Sequence, residues 1–130
     1  EISAAQRRCF TALCDTLVPA DSLTPTASAL GVHEVLLEDI AGVADARRLL
    51  AAACAWLDAR AAGDFAAGAP ALRDQLVGAM ARLPWDSPPG RFVQLARNSV
   101  MAEYYARPES WRGLALDRPP QPLGFRDALR

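Results

Sequence analysis

The sequence predicts an all-α fold: a small, orthogonal and irregular bundle of about five helices with an extended, proline-rich C-terminal arm. Three observations predict it. Apolar residues return every three or four positions through most of the chain, and no segment shows the period of two that a half-buried strand requires. Proline clusters fall between those segments. Aromatic residues make up only 7% of the chain although hydrophobic residues reach 52%. Much of that fraction is alanine, which favours helix and lets helices approach closely.

The first helix starts at Ser3. Gln6 lies three residues on, the spacing of a capping box. Phe10, Leu13, Cys14 and Leu17 then form one apolar stripe, and the helix stops before Pro19. Residues 20–26 read as a loop. A second segment runs from about Ala27 to Ile40, interrupted at Gly31, with Val32, Leu36 or Leu37, and Ile40 inward.

The third helix covers about Val43 to Ala62. Ala46, Leu50, Ala53, Cys54 and Leu57 form its buried stripe, and Asp45, Arg47, Asp58 and Arg60 its solvated side. A connector from Gly63 to Pro70 carries Phe65. The fourth helix, Ala71 to Leu83, places Leu72, Leu76, Ala79, Met80 and Leu83 on one face. Pro84 to Gly90 is a second break. The fifth helix runs from about Arg91 to Ala106, with Phe92, Leu95, Ala96, Ser99 and Val100 inward and Tyr104-Tyr105 at its end.

From Pro108 onward neither period persists. Residues 1–107 therefore read as the helical body and residues 108–130 as an arm, within one domain of 130 residues and 13.9 kDa. An arm without a period cannot build its own core. Trp111, Leu114, Leu116, Leu123 and Phe125 make it too apolar for an ordinary disordered tail, so it is expected to dock on another surface.

Charge excludes some functions. The net charge is −1, the isoelectric point is near 5.8 and mean hydropathy is +0.04. A general nucleic-acid or anionic-membrane binder needs a basic footprint that this chain lacks. No run approaches the ~20 apolar residues of a membrane span. Glu1-Ile2-Ser3 shows neither the basic nor the apolar region of a leader. A processed mature protein would begin in the same way.

No constellation of residues spells a catalytic site. His33 is the single histidine, and no acid–base partner stands at a recognisable spacing. Cys9, Cys14 and Cys54 form no CxxC pair, which speaks against zinc or a cluster held by this chain. Cys9 and Cys14 lie about 140° apart around one helix and should not bridge each other. All three can serve as small core residues. Their odd number leaves open that one, Cys9 above all, pairs with a different chain in an oxidising compartment. Glu38-Asp39 and Glu103 read as solvated helix faces. The glycines make no phosphate-cradling pattern, and the arginines lack the aromatic interleaving of single-strand binders.

What stands out is a concentration of rings among prolines: Trp85, Tyr104, Tyr105, Trp111 and Phe125. Such rings either cap the helical core or anchor a partner, because they bury much area for little entropy. The partner surface is the expectation. Its residues are Tyr104, Tyr105, Pro108, Trp111, Leu116, Pro120, Pro122 and Phe125.

Two stretches carry a family resemblance. TALCDTLVPADSLTPTASALGVHEVL (Thr11–Leu36) matches a pattern of helix, D-x-[LI]-[IV]-P, polar loop and A-x-x-x-G-V helix start, through Asp15, Pro19, Ala27 and Gly31-Val32. YYARPESWRGLALDRPPQPLGF (Tyr104–Phe125) matches a closing signature through Tyr104, Tyr105, Pro108, Trp111, Pro120, Pro122 and Gly124. In order and spacing the chain resembles the gluconate 2-dehydrogenase subunit 3 family, the small subunits of membrane-associated FAD-dependent sugar and sugar-acid dehydrogenases. Leu114 to Arg118 departs from the Leu-Gly-Tyr-x-Gly often found there.

The resemblance implies a non-catalytic partner of a large flavoprotein of the glucose–methanol–choline type. In such complexes the large subunit holds FAD and oxidises a sugar hydroxyl by hydride transfer. Some also hold an iron–sulfur cluster and pass electrons to a cytochrome c subunit. The small subunit typically bears a twin-arginine leader, removed on export, and carries the folded large subunit to the periplasm. That location makes an intersubunit disulfide through Cys9 or Cys14 chemically allowed. This chain itself is expected to bind no cofactor, metal or nucleic acid and to have no membrane span. The rival readings are a self-contained helical binding or regulatory module, expected to be a monomer with its rings buried, and a small cysteine-dependent enzyme, which alkylation would inactivate.

Overall fold

The Ser3–Gln6 pair opens α1 (Ala4–Leu17) in the computed structural model, which describes residues 1–18 and 24–107. The Ser3 hydroxyl accepts from the Gln6 amide and the Gln6 side-chain oxygen accepts from the Ser3 amide, each at 3.1 Å. Two amides that the first turn would leave unpaired are thereby satisfied.

After α1 a short 3₁₀ helix spans Ser28–Leu30, and α2 follows over Val32–Ala41. Gly31 separates them with φ +73°, a left-handed conformation that a side chain disfavours. The expected interruption is thus a complete break. α3 spans Ala44–Arg60 and ends in a left-handed turn: Ala62 takes φ +54° and the Gly63 amide returns to the Asp58 carbonyl at 2.7 Å. The Asp58 carboxylate, expected in solvent, instead accepts from the Phe65 amide at 2.9 Å. It thereby starts the 3₁₀ helix Phe65–Ala67 that seats Phe65 wholly in the core.

α4 (Pro70–Ala81) and α5 (Pro88–Tyr105) both begin on proline. α5 therefore starts earlier than the expected Arg91. Pro88 and Pro89 occupy first-turn positions, where no intrahelical amide is needed and a fixed φ favours the helix. Gly90 lies against the end of α4, where a Cβ would sit 2.7 Å from the Pro84 carbonyl oxygen and 2.9 Å from Leu83. Only a glycine lets the two helices turn this closely.

Among the described residues there are no strands, and the fold is all-α. The most extensive helix–helix seam joins α3 to α5, and α1 packs on every other helix, with α2 and α4 at the flanks. Every residue of the expected α3 stripe is buried, as are Phe92, Leu95, Ala96, Ser99 and Val100 of α5. Phe10 of α1 meets Phe92 of α5 edge to face, ring centres 5.9 Å apart. Each such ring contributes roughly 1.5–3 kcal/mol by burial alone. On α4 the buried pair is Val77 and Met80, while Leu72, Leu76 and Leu83 pack only partly against the core. No helix among the described residues is long and apolar enough to cross a membrane.

Candidate partner interface

The buried stripe of α5 continues in steps of four from Phe92 through Ala96 and Val100 to Tyr104. This periodicity carries the Tyr104 ring into the core, where it is 1% exposed. Its hydroxyl donates to the Pro25 carbonyl at 2.6 Å, so the buried oxygen is satisfied. Tyr105 stands edge to face with it, ring centres 5.2 Å apart, and is half-buried. Burial, and then the neighbouring Tyr104, push the Tyr105 phenol above its ordinary pKa.

Arg107 closes the described chain. Its Nε donates to the Leu30 carbonyl at 2.9 Å, its Nη1 bonds the Glu103 carbonyl, and the guanidinium lies 3.6 Å from the Glu103 carboxylate. On the other side of the same segment, the Asp15 carboxylate accepts from the Ser28 amide at 2.8 Å and the Ser28 hydroxyl at 2.5 Å. Asp15, Tyr104 and Arg107 therefore grip one stretch, Thr24 to Gly31, from α1 and from α5. The two stretches that carry the resemblance, far apart in sequence, meet here.

Of the residues expected at a partner interface, Tyr104 is thus part of the core and Tyr105 lies half-buried against it. Pro108, Trp111, Leu116, Pro120, Pro122 and Phe125, with the whole arm expected over 108–130, lie outside the described residues. So does Pro19. Trp85, also noted among the rings, is 49% exposed on the α4–α5 turn. The Arg91 guanidinium lies 5.4 Å from its ring and donates through Nε to the Trp85 carbonyl at 3.1 Å. α5 has 18 residues, about 27 Å of helix, so Trp85 and the clasp mark opposite ends of it.

Cys9 and Cys14 are buried, 2% and 0% exposed, and Cys54 is 6% exposed. Both α1 sulfurs, the ones expected to pair with a second chain, sit inside the described body. Cys54 of α3, and then burial, push the Cys9 thiol far above the usual range, and the Cys54 sulfur itself lies 4.0 Å from the Gln6 carbonyl, one turn before Cys9. Burial, then the Asp15 charge, push the Cys14 thiol up as well. Thiols held protonated are poor nucleophiles. The placement of Cys54 beside this turn of α1 was not anticipated. A signal for it lies in Cys9 and Leu13, one turn apart, which widen the apolar face of α1 towards α3.

The remaining polar groups mostly hold the fold together. His33 is half-buried, with Nδ1 lacking a partner and Nε2 3.9 Å from the Glu34 carboxylate. A shallow groove of about 350 Å³ is lined by Arg8, Thr11, Asp15, Ala66 and Arg73. Within it Asp15 is engaged by Ser28, Arg8 pairs with Asp64 at 2.9 Å, and Arg73 donates to the Ala66 carbonyl at 3.1 Å. No group of three or more His, Cys, Asp or Glu converges as for a metal among the described residues.

The family model for gluconate 2-dehydrogenase subunit 3 matches residues 4–115. No curated protein and no solved structure matches the chain. With the clasp built from both resembling stretches and the match covering most of its length, the chain belongs to the gluconate 2-dehydrogenase subunit 3 family, subunits of a dehydrogenase with a larger enzyme partner.

Proposed function

We propose that this protein is the non-catalytic small subunit of a large FAD-dependent sugar or sugar-acid dehydrogenase of the glucose–methanol–choline type, which it binds, stabilises and escorts to the periplasm. The observation that carries this reading is the family match, which runs past the end of α5 to residue 115 and so includes the segment holding Trp111. The body acts as a platform. Tyr104 and Arg107 anchor the end of α5 on the segment before α2, and Tyr105, Pro108, Trp111, Leu116, Pro120, Pro122 and Phe125 lay apolar surface on the flavoprotein. Binding the folded large subunit stabilises it by mass action, more strongly the further the small subunit exceeds its Kd. FAD, with an iron–sulfur cluster in some complexes, belongs to the large subunit, which oxidises the sugar hydroxyl by hydride transfer. A cytochrome c subunit takes the electrons onward.

The test is co-expression with the neighbouring flavoprotein, an affinity tag on the small subunit. The expected result is a yellow complex of fixed stoichiometry, and a large subunit that melts lower when expressed alone. Recovery of the tagged chain as a monodisperse monomer, with no flavin absorbance and no effect on the large subunit, would overturn it. That result would favour the self-contained helical module, the reading that the burial of Tyr104 supports.

A further inference from the structure

We propose that Cys9 and Cys54 close an intrachain disulfide that staples α1 to α3 when the protein folds in contact with a disulfide-class oxidant. The pair sits on the seam where α1 packs against α3. The Cys54 sulfur donates to the Gln6 carbonyl at 4.0 Å, one turn before Cys9 on α1, and Cys54 is the group that acts most strongly on the Cys9 thiol. Both belong to the core, 2% and 6% exposed, so solvent is shut out of this part of the seam. Cys14 is the third thiol of the chain but not a competitor. It points elsewhere around α1, and the neighbour felt by its sulfur is Asp15 rather than another cysteine.

The chemistry balances with one co-reactant, a small-molecule or protein disulfide. The thiolate of one cysteine attacks that disulfide, forming a mixed disulfide and releasing one thiol. The other cysteine then displaces the second thiol, and the bond between Cys9 and Cys54 forms at about 2.05 Å. Two protein thiols are oxidised, one external disulfide is reduced to two thiols, and these carry away the two protons. The neighbouring Cys54, and then burial, hold the Cys9 thiol protonated in the folded chain. The exchange therefore belongs to the interval before α1 seats on α3, and afterwards the bridge is shielded from reductants. The loop it closes contains the end of α1, the Ser28–Leu30 turn, α2 and the first half of α3. Closing so long a loop removes much denatured-state freedom.

The experiment refolds the full-length protein from denaturant in oxidised glutathione and, in parallel, in excess reductant. Each sample is then unfolded, alkylated and weighed. Oxidised protein should be lighter by two hydrogens before alkylation and should take up a single alkyl group, on Cys14. Chymotryptic cleavage after Phe10 separates Cys9 from Cys14, so the Cys9 and Cys54 peptides should run as one species until reduced. The oxidised form should melt about 10 °C above the reduced form. That gap should vanish in Cys54→Ala and persist in Cys14→Ala, each compared only with its own reduced sample, so a general loss of stability cannot mimic the result. Three alkylated cysteines after oxidative refolding, a bridge to Cys14, or linkage between two chains would each overturn the proposal.

Discussion

The Tyr104 hydroxyl donates a 2.6 Å hydrogen bond to the carbonyl of Pro25, tying the last turn of α5 to the segment that leads into α2. A tyrosine is suited to this place because its ring fills the core while its oxygen reaches a backbone acceptor that α-helix geometry leaves unused. Tyr104→Phe keeps the ring and removes the bond, leaving the Pro25 carbonyl without this donor. The expected loss is about 1–2 kcal/mol, read in urea as a lower midpoint with an unchanged slope. Amide exchange should quicken over Thr24 to Gly31. An unchanged midpoint would mean that the clasp adds nothing to stability.

The same substitution at two glycines should have opposite signs. At Gly90 a Cβ meets the Pro84 carbonyl at 2.7 Å and the Leu83 backbone oxygen at 2.9 Å. Backbone cannot swing aside as a flexible side chain does, so Gly90→Ala should cost about 1–3 kcal/mol. At Gly78, inside α4, the nearest atom to a Cβ is the end of the Arg82 side chain at 3.7 Å. Gly78→Ala should therefore gain about 0.5–1 kcal/mol of helix propensity. Thermal melts of both variants check the pair, and a destabilised Gly78→Ala would show that α4 packs more tightly on its neighbours than this geometry allows.

Much of this architecture is legible in the sequence because it is periodic. The Ser3–Gln6 cap, the α3 stripe from Ala46 to Leu57 and the α5 stripe from Phe92 to Val100 each follow from spacing alone. The start of α5 does not. Pro88-Pro89 reads as a break, yet the same residues favour the first helical turn, and spacing cannot separate the two roles. Pairings between elements are also illegible. The periodicity of α1 and α3 says which faces are buried, not that the Cys54 sulfur reaches the Gln6 carbonyl. Asp15 belongs to a recognisable motif, but its work, holding Ser28 across a loop, emerges only in three dimensions. Tyr104 shows the converse case: a ring expected to meet a partner lies in the core, because the four-residue rhythm of α5 runs one turn further than the expected stripe.

Alkaline pH should weaken the reduced protein. Burial, and then Asp15, raise the folded-state pKa of Cys14 above the ordinary 9.0. The folded chain thus keeps a proton that the unfolded chain releases near pH 9. The stabilisation is complete below that pH and is lost as pH rises towards the folded value, at ~1 kcal/mol for each pH unit. Cys9 acts with the same sign. The chain has no lysine, so no amine side chain titrates over this range. Urea unfolding in reductant at successive pH values from 8 to 11 should show the fall, and Cys14→Ala should make it shallower. Equal slopes in the two proteins would remove Cys14 as its cause.

A chain ending at Arg107 should separate folding from association. It retains α5 to its last turn, the Tyr104–Pro25 bond and the Arg107–Leu30 bond. Its helical circular dichroism should match that of the full chain, with a melting point within a few degrees, about the effect of a 1 kcal/mol change. Association should not survive. Trp111, Leu116 and Phe125 go with the arm, and interface anchors of that kind cost at least about 2 kcal/mol each when removed. Affinity for the flavoprotein should thus fall by at least about 100-fold, each 1.4 kcal/mol being tenfold. Titration of the flavoprotein by both chains measures it, and full-strength binding by the shortened chain would move the interface back onto the helical body, where exposed Trp85 stands with Arg91 at the far end of α5.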